Sequence, residues 1–331
     1  MKLLKMLTQA AAPSGNEENV SFVIENEIAS LVDELYKDTS GNLIAHIKGN
    51  GEKVMLDAHM DEIGIIVTFI EDNGLLRFSN LGGVSVANAI SQRVRFLNGE
   101  MGVVFNEDGA KLEDLKLSDL YIDIGAKSKE EAETKIKVGD VACFEGGFTQ
   151  TENRVVSKAL DDRVGCYVLI ETMKNIKEIK ELKNDLYFVF CVSEELGLRG
   201  AKVAANVIAP DYAVSVDVTR TGDLPGKLKM AVKLGEGTAV KVKDSSVLCH
   251  PYIKDFMVKT CVENNISYQL EVLEKGGTNA GAIHLTNGGV PSGVISIPTR
   301  YIHSPSEMID LGDVDASIKL LTKMIEKGFK M

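Results

Sequence analysis

The sequence predicts an α/β protein: a mixed sheet flanked by helices, built from both ends of the chain and interrupted by a small β-rich module. Three observations predict it. Apolar strand-like runs alternate with amphipathic helical patterns over the first 60 residues and again after 158. Between about 65 and 155 short β-like runs separated by Gly and Asn replace that alternation. The 331 residues suit about two domains. The expected division is therefore nested, with 1–64 and 156–331 forming one domain and 65–155 the insertion.

The elements follow in chain order. Leu3, Leu4 and Leu7 share one face of a short N-terminal helix. Ser14-x-x-Glu17 has the form of a capping box, ahead of a helix over about 17–34 that carries Val20, Val23, Ile24, Ile28 and Leu31 at helical spacing. Residues 42–48 and 53–58 read as strands, with Gly49-Asn50-Gly51 as a hairpin turn between them. In the module, β-like runs at 75–78, 92–96, 102–105 and 140–144 surround one helix near 129–135, opened by a second capping box, Ser128-x-x-Glu131. A helix follows over 162–174. Residues 185–192 are continuously apolar, as a strand covered on both faces is. Helix 200–207, strand 211–217, helices near 251–264 and 279–286, strand 293–297 and a final helix at 312–328 complete the chain.

Composition narrows the function. The balance of 37 basic against 48 acidic residues gives a net charge of −11, which opposes binding to a phosphate backbone, so no nucleic-acid partner is expected. No apolar run is long enough to predict a membrane span. The five cysteines (143, 166, 191, 249 and 261) are odd in number and lack C-x-x-C spacing, which predicts buried, reduced thiols. Lys5 interrupts the first apolar stretch, so the N-terminus makes a poor signal peptide and a cytoplasmic setting is expected.

Candidate chemistry gathers at strand ends. His59 closes the strand at 53–58, and Asp61 two residues on points to the same side of an extended chain. That carboxylate can fix the imidazole tautomer while the other ring nitrogen binds a metal. Glu194-Glu195 ends the buried run at 185–192, where open α/β sheets place their sites, and adjacent acids can diverge there, one to a metal and one to a water. Asp161 lies at a loop–helix junction, as an N-cap or as a bridge between two cations. Asp217 ends the strand at 211–217, and His303 follows the strand at 293–297. Two histidines and three carboxylates, one of them shared, would serve two cations and leave positions for water and substrate. No cysteine joins the set, which argues against a structural zinc site.

On these residues the sequence resembles the tetrahedral (TET) aminopeptidases, co-catalytic metallopeptidases whose members have also been labelled endoglucanase or cellulase. The matching stretches are Ala12-Pro13-Ser14-Gly15, Asp57-Ala58-His59-Met60-Asp61-Glu62-Ile63-Gly64, Asp123-Ile124-Gly125-Ala126-Lys127-Ser128, Lys158-Ala159-Leu160-Asp161-Asp162-Arg163, Val192-Ser193-Glu194-Glu195-Leu196-Gly197, Ser215-Val216-Asp217 and Pro298-Thr299-Arg300-Tyr301-Ile302-His303-Ser304-Pro305. They span nearly the whole chain in the family's order.

The resemblance implies a zinc-peptidase-like catalytic domain and an inserted dimerisation domain, with dimers assembling into a tetrahedral dodecamer. It implies two divalent metal ions per subunit, zinc or cobalt first and manganese as a further choice. His59 and Asp217 would be terminal ligands of one metal, Glu195 and His303 of the other, and Asp161 would bridge them. Glu194 would be the general base acting on a metal-bridging water, and Asp61 would orient His59. Short peptides would be the substrates. A cis Asp161–Asp162 bond is implied as well. The chain departs from many relatives at Asn279, where they carry Asp, and that bears on substrate preference. Two other readings compete: a glycoside hydrolase of the endoglucanase kind, which needs two carboxylates and no metal, and a non-catalytic assembly scaffold.

Overall fold

The computed structural model describes residues 1–107, 111–226 and 229–331, with the Leu112 side chain also outside the description. Among the described residues, eleven strands form one mixed sheet. Its centre is parallel: Asp185–Cys191, Lys53–His59, Tyr212–Thr219 and Ser292–Arg300 lie side by side in that order. These strands read as apolar runs because both of their faces are covered; all eight residues of Tyr212–Thr219 are buried. Antiparallel strands extend both edges. Leu43–Ile47 and Glu34–Lys37 lie beyond Asp185–Cys191. Glu307–Asp310, Arg154–Ser157 and Thr149–Gln150 lie beyond Ser292–Arg300. Thr238–Lys243 also joins Ser292–Arg300 and carries Tyr268–Val272 at its side.

Side chains of the central strands alternate between two helical layers, as the period of two requires. Val54, Leu56, Phe188, Phe190, Val214 and Val216 face the larger core, with helices Lys2–Gln9, Glu18–Ile28, Leu160–Ile176 and Leu311–Lys327. Met55, Val189, Cys191 and Ala213 face Ala201, Ala204, Ala205 and Ile208 of helix Arg199–Ile208 on the other side.

Between Lys53–His59 and Arg154–Ser157 the chain forms a closed six-stranded barrel. Its strands are Gly64–Ile70, Leu76–Leu81, Arg93–Phe96, Met101–Asn106, Leu120–Asp123 and Val141–Phe144. Inward residues such as Ile65, Leu76, Val94, Phe96, Val104 and Ile122 form a separate core, alternating with exposed or half-buried positions along Arg93–Phe96 and Met101–Asn106. The expected α/β fold with an inserted β-rich module is therefore observed. The strands Thr149–Gln150 and Arg154–Ser157 already belong to the large sheet.

Two local expectations fail for tertiary reasons. The strands flanking Gly49-Asn50-Gly51 are not a hairpin; Asp185–Cys191 inserts between them and pairs with both. The glycines serve the crossing instead, since a Cβ on Gly49 would stand 2.0 Å from the Asn184 carbonyl oxygen and one on Gly51 2.4 Å from that of Lys183. The Ser14–Glu17 capping box does not form either. The Ser14 hydroxyl donates to Asp61 at 2.6 Å, Glu17 accepts from the Gly15 and Ser193 amides, and the helix begins at Glu18 and ends at Ile28. The Ser128 box is half formed: Ser128 accepts from the Glu131 amide, but Glu131 reaches Lys127 rather than Ser128. All five cysteines are buried and free, as expected.

Candidate metal centre and active site

The site lies at the carboxyl edge of the parallel strands, where backbone direction changes and side chains converge. His59 is the last residue of Lys53–His59, and Asp217 sits near the end of Tyr212–Thr219. Glu194 and Glu195 follow Asp185–Cys191, and His303 follows Ser292–Arg300. Asp161 enters from the start of helix Leu160–Ile176, where Asp161 and Asp162 have non-helical backbone angles. The Asp161–Asp162 bond is cis, as expected.

Asp161 stands at the middle of the cluster. Its Oδ1 lies 3.0 Å from His59 Nε2, and its Oδ2 lies 3.3 Å from His303 Nε2. Glu195 Oε1 lies 2.9 Å from His303 Nε2. Asp217 Oδ1 and Glu194 Oε2 each lie 4.0 Å from His59 Nε2. Donors sharing a tetrahedral cation at about 2.1 Å stand roughly 3.4 Å apart, so these spacings suit ligands of common ions. His59, Glu194 and Glu195 form one cluster able to hold a metal, and Asp161, Glu195 and His303 form another. Asp162 also falls near His59 and Asp217. Its two oxygens, however, already accept the His59 and Gly165 amides at 3.1 Å each. An all-nitrogen-and-oxygen donor set of this kind fits zinc, cobalt or manganese.

The protonation states follow from burial and crowding. Burial pushes Asp217 up to about 8, against the opposing pull of His59. Burial likewise holds Glu194 well above the usual carboxylate range, again opposed by His59. Burial resists charge on His303, but its contacts with Asp161 and Glu195 outweigh that and raise it to about 11. Asp161 is held low, since the two histidines overcome its burial.

A ring of carboxylates fixes the cluster. Fully buried Asp61 lies 3.3 Å from His59 Nδ1, while its backbone carbonyl is 3.1 Å from the same nitrogen, leaving Nε2 to face Asp161. Asp61 also accepts the Glu194 and Glu195 amides at 3.0 and 3.2 Å. Glu307 accepts the Asp161 amide at 2.9 Å and the His303 amide at 2.8 Å. Burial, reinforced by Asp161, pushes Glu307 up to about 8. Glu62 takes both oxygens to Lys158 Nζ at 2.7 and 2.6 Å, and fully buried Arg163 reaches Glu62 at 3.4 Å.

All the sequence-predicted site residues thus come together. The backbone-holding roles of Glu307, Asp162 and Glu17 are not legible in the sequence. Glu307 follows Ser304-Pro305-Ser306 without periodicity or motif, and its partners lie far off in the chain. The site opens into a cleft of about 700 Å³, bordered by Gly197, Leu198, Arg220, Leu273, Lys275 and Gly276.

Residues 41–320 match the family described as M42 glutamyl aminopeptidase. The chain belongs to the M42 family. Its relatives are matched over nearly their full length. A protein of Acetivibrio thermocellus, named provisionally as an aminopeptidase, is 54% identical over 98% of this chain and 97% of its own. The lysyl aminopeptidase of Pyrococcus furiosus is 33% identical over 98% of this chain and 96% of its own. Among solved structures, the TET1 peptidase of Pyrococcus horikoshii, which can assemble into a tetrahedron or a large octahedral shell, superposes with a TM-score of 0.87 at 33% identity, covering 98% of each chain. A Thermotoga maritima protein labelled endoglucanase superposes at 0.83 with 34% identity, covering 98% of this chain and 97% of that one. This M42 chain is a peptide hydrolase of the TET aminopeptidase fold. No described helix of it is long and apolar enough to cross a membrane.

Proposed function

We propose that this chain is a dinuclear metal-dependent aminopeptidase that removes N-terminal residues from short peptides. One observation carries the reading: a single carboxylate, Asp161, offers one oxygen to each of two histidines. His59 and Asp217 would complete one metal position, Glu195 and His303 the other, and Asp161 would bridge them. Two divalent cations, zinc or cobalt with manganese as a further choice, would acidify a water and polarise the peptide carbonyl.

Glu194 then acts as general base. Its carboxylate accepts a proton from the attacking water and passes it to the leaving amine nitrogen, so each cycle consumes one water and returns Glu194 to its starting state. Burial raises the proton affinity that this task needs. Asp61 holds the His59 ring and the Glu194 and Glu195 amides, so the base and its neighbour keep fixed, separate directions. A cleft of about 700 Å³ suits an N-terminal residue and a few neighbours rather than a folded protein.

Residues 1–64 and 156–331 form the proposed catalytic domain and 65–155 the proposed dimerisation domain, with the tail of the latter, Thr149–Gln150 and the first residues of Arg154–Ser157, lying on the catalytic sheet. Phe69, Val103 and Phe105 are exposed on the barrel surface, which favours a contact there between copies. A TET1 neighbour solved as a dodecamer, and the TET1 peptidase that can form a tetrahedron or a large octahedral shell, support assembly of such dimers into a tetrahedral dodecamer. Buried, unpaired cysteines accord with a cytoplasmic setting.

Glu194→Gln tests the reading. The variant keeps two cations and loses aminoacyl-anilide hydrolysis by about 10²–10⁴-fold. Near-normal turnover would remove Glu194 from the base role. Cellulose hydrolysis that survives chelation would favour the endoglucanase reading over the peptidase.

A further inference from the structure

The barrel reaches the site at one place. Strand Leu76–Leu81 runs into Gly82-Gly83, and Ser85 caps the short helix Val86–Ala89. The Gly82 carbonyl accepts from Asn80 Nδ2 at 2.7 Å and from the Val84 amide at 3.0 Å, which braces the loop. The Ser85 hydroxyl accepts the Asn88 backbone amide at 3.3 Å, which holds the backbone that carries the Asn88 side chain.

This braced loop packs directly on two of the proposed ligands. A Cβ on Gly83 would stand 2.3 Å from His303 Nδ1 and 2.5 Å from its Cε1. A Cβ on Gly82 would stand 2.9 Å from both Cβ and Oε2 of Glu195. Asn88 Nδ2 donates to the His303 carbonyl at 2.8 Å. His303 needs such support, because its φ of 64° and the φ of 60° at Tyr301 put both in the left-handed region, which non-glycine residues seldom hold unaided. A ligand histidine is normally aimed through its second ring nitrogen. His59 Nδ1 meets Asp61, whereas His303 Nδ1 faces Gly83.

We propose that Gly83 and Asn88 are positioning residues for His303. The barrel wall fixes the imidazole by close packing on one side and by a hydrogen bond to its backbone, so the barrel sets the second metal position. The inference rests on the metallo-aminopeptidase reading for what His303 binds. It adds that the inserted module is part of the site's construction, beyond any part in assembly.

Gly83→Ala is the decisive variant. Gly83 does not occupy the left-handed region, so its backbone accepts alanine, and the methyl must displace the ring. Gly147→Ala is the control: that glycine also lies outside the left-handed region and has nothing within 4 Å of its added Cβ. Metal-stripped full-length protein is titrated with cobalt(II), followed by its visible absorption, and with zinc(II) by calorimetry. The unaltered chain and Gly147→Ala bind two cobalt ions alike. Gly83→Ala binds the first as they do and the second about 10- to 100-fold more weakly, with an altered absorption band. Asn88→Ala weakens the same ion, and it decides the question should Gly83→Ala fail to fold. Wild-type binding and spectrum of the second cobalt in both variants would overturn the proposal. If the unaltered chain bound no cobalt or zinc, the metalloenzyme reading would fall, and this inference with it.

Discussion

Asp61→Asn is a near-isosteric change whose cost can be worked out donor by donor. The two Asp61 oxygens face four donors: Oδ1 meets the Glu194 amide at 3.0 Å and His59 Nδ1 at 3.3 Å, and Oδ2 meets the Ser14 hydroxyl at 2.6 Å and the Glu195 amide at 3.2 Å. An asparagine keeps one acceptor. Its better orientation turns the oxygen to Glu194 and His59 and the amide nitrogen to Ser14, whose hydroxyl can rotate and accept. The Glu195 amide is then buried without a partner, at about 1–3 kcal/mol. The two surviving bonds lose their charge assistance, at about 1 kcal/mol each. The sum is about 3–5 kcal/mol, read as lost stability of the chelated protein in urea unfolding at pH 7. Burial alone would raise the Asp61 pKa, but His59, Ser14 and the Glu194 amide outweigh it and depress the folded value. A depressed carboxylate contributes stability above its unfolded value near 3.9 and loses it as pH falls through the folded value. The gap between parent and variant should therefore close below about pH 4. Metal affinity should fall about 10- to 100-fold with the loosened His59. A variant within 1 kcal/mol of the parent at pH 7 would show that these contacts do not act together as described.

Two other outcomes are expected. Arg163→Met should cost about 3–5 kcal/mol. It strips the Arg163 donors from the carbonyls of Leu7 and Ala10, leaves the Ala12 carbonyl to the Glu62 amide, and leaves Glu62 with Lys158 and the Ala12 amide, so a lower melting temperature and faster proteolysis before residue 13 should appear together. Zinc loading at pH 7 should release protons, because Asp217, at about 8, and His303, at about 11, hold protons that must leave when they bind a cation. Apparent affinity then rises with pH through about 8, and loading without measurable proton release in a weakly buffered titration would contradict the assignment.

The parallel strands were legible because burial on both faces leaves unbroken apolar runs, as in Asp185–Cys191 and Tyr212–Thr219. The candidate site was legible because strand ends are where the chain turns, and His59, Glu194, Glu195 and Asp217 stand there in the sequence. What failed was inference from neighbours in sequence to neighbours in space. Gly49-Asn50-Gly51 has hairpin chemistry, yet the strand that arrives more than 130 residues later takes the place between its two arms. Thr238–Lys243 and Tyr268–Val272 gave no clear strand signal, since Lys241 and Glu271 break their apolar pattern. The two charges pair with each other inside the protein, with Asp244 3.6 Å from Lys241 and the Thr219 hydroxyl donating to Glu271 at 2.7 Å, and those partners are what make their burial tolerable.

The same long-range logic explains how adjacent acids are held apart for the different duties proposed for them. Ser193 sits at a φ of 52°, a left-handed conformation costing about 1–3 kcal/mol for such a residue. Its amide donates to Glu17 at 3.0 Å, and the next two amides donate to Asp61. Three successive backbone N–H groups are thus held by two carboxylates from other parts of the chain, and Ser14 ties the segment before Glu17 to Asp61. With the backbone clamped at each residue, the side chains of Glu194 and Glu195 cannot exchange places by a small rotation of the turn. Glu194 faces His59, and Glu195 faces His303. A base and a ligand one residue apart need that separation enforced from outside the turn, which is why a misread capping box at residues 14–17 is the segment that braces the proposed catalytic pair.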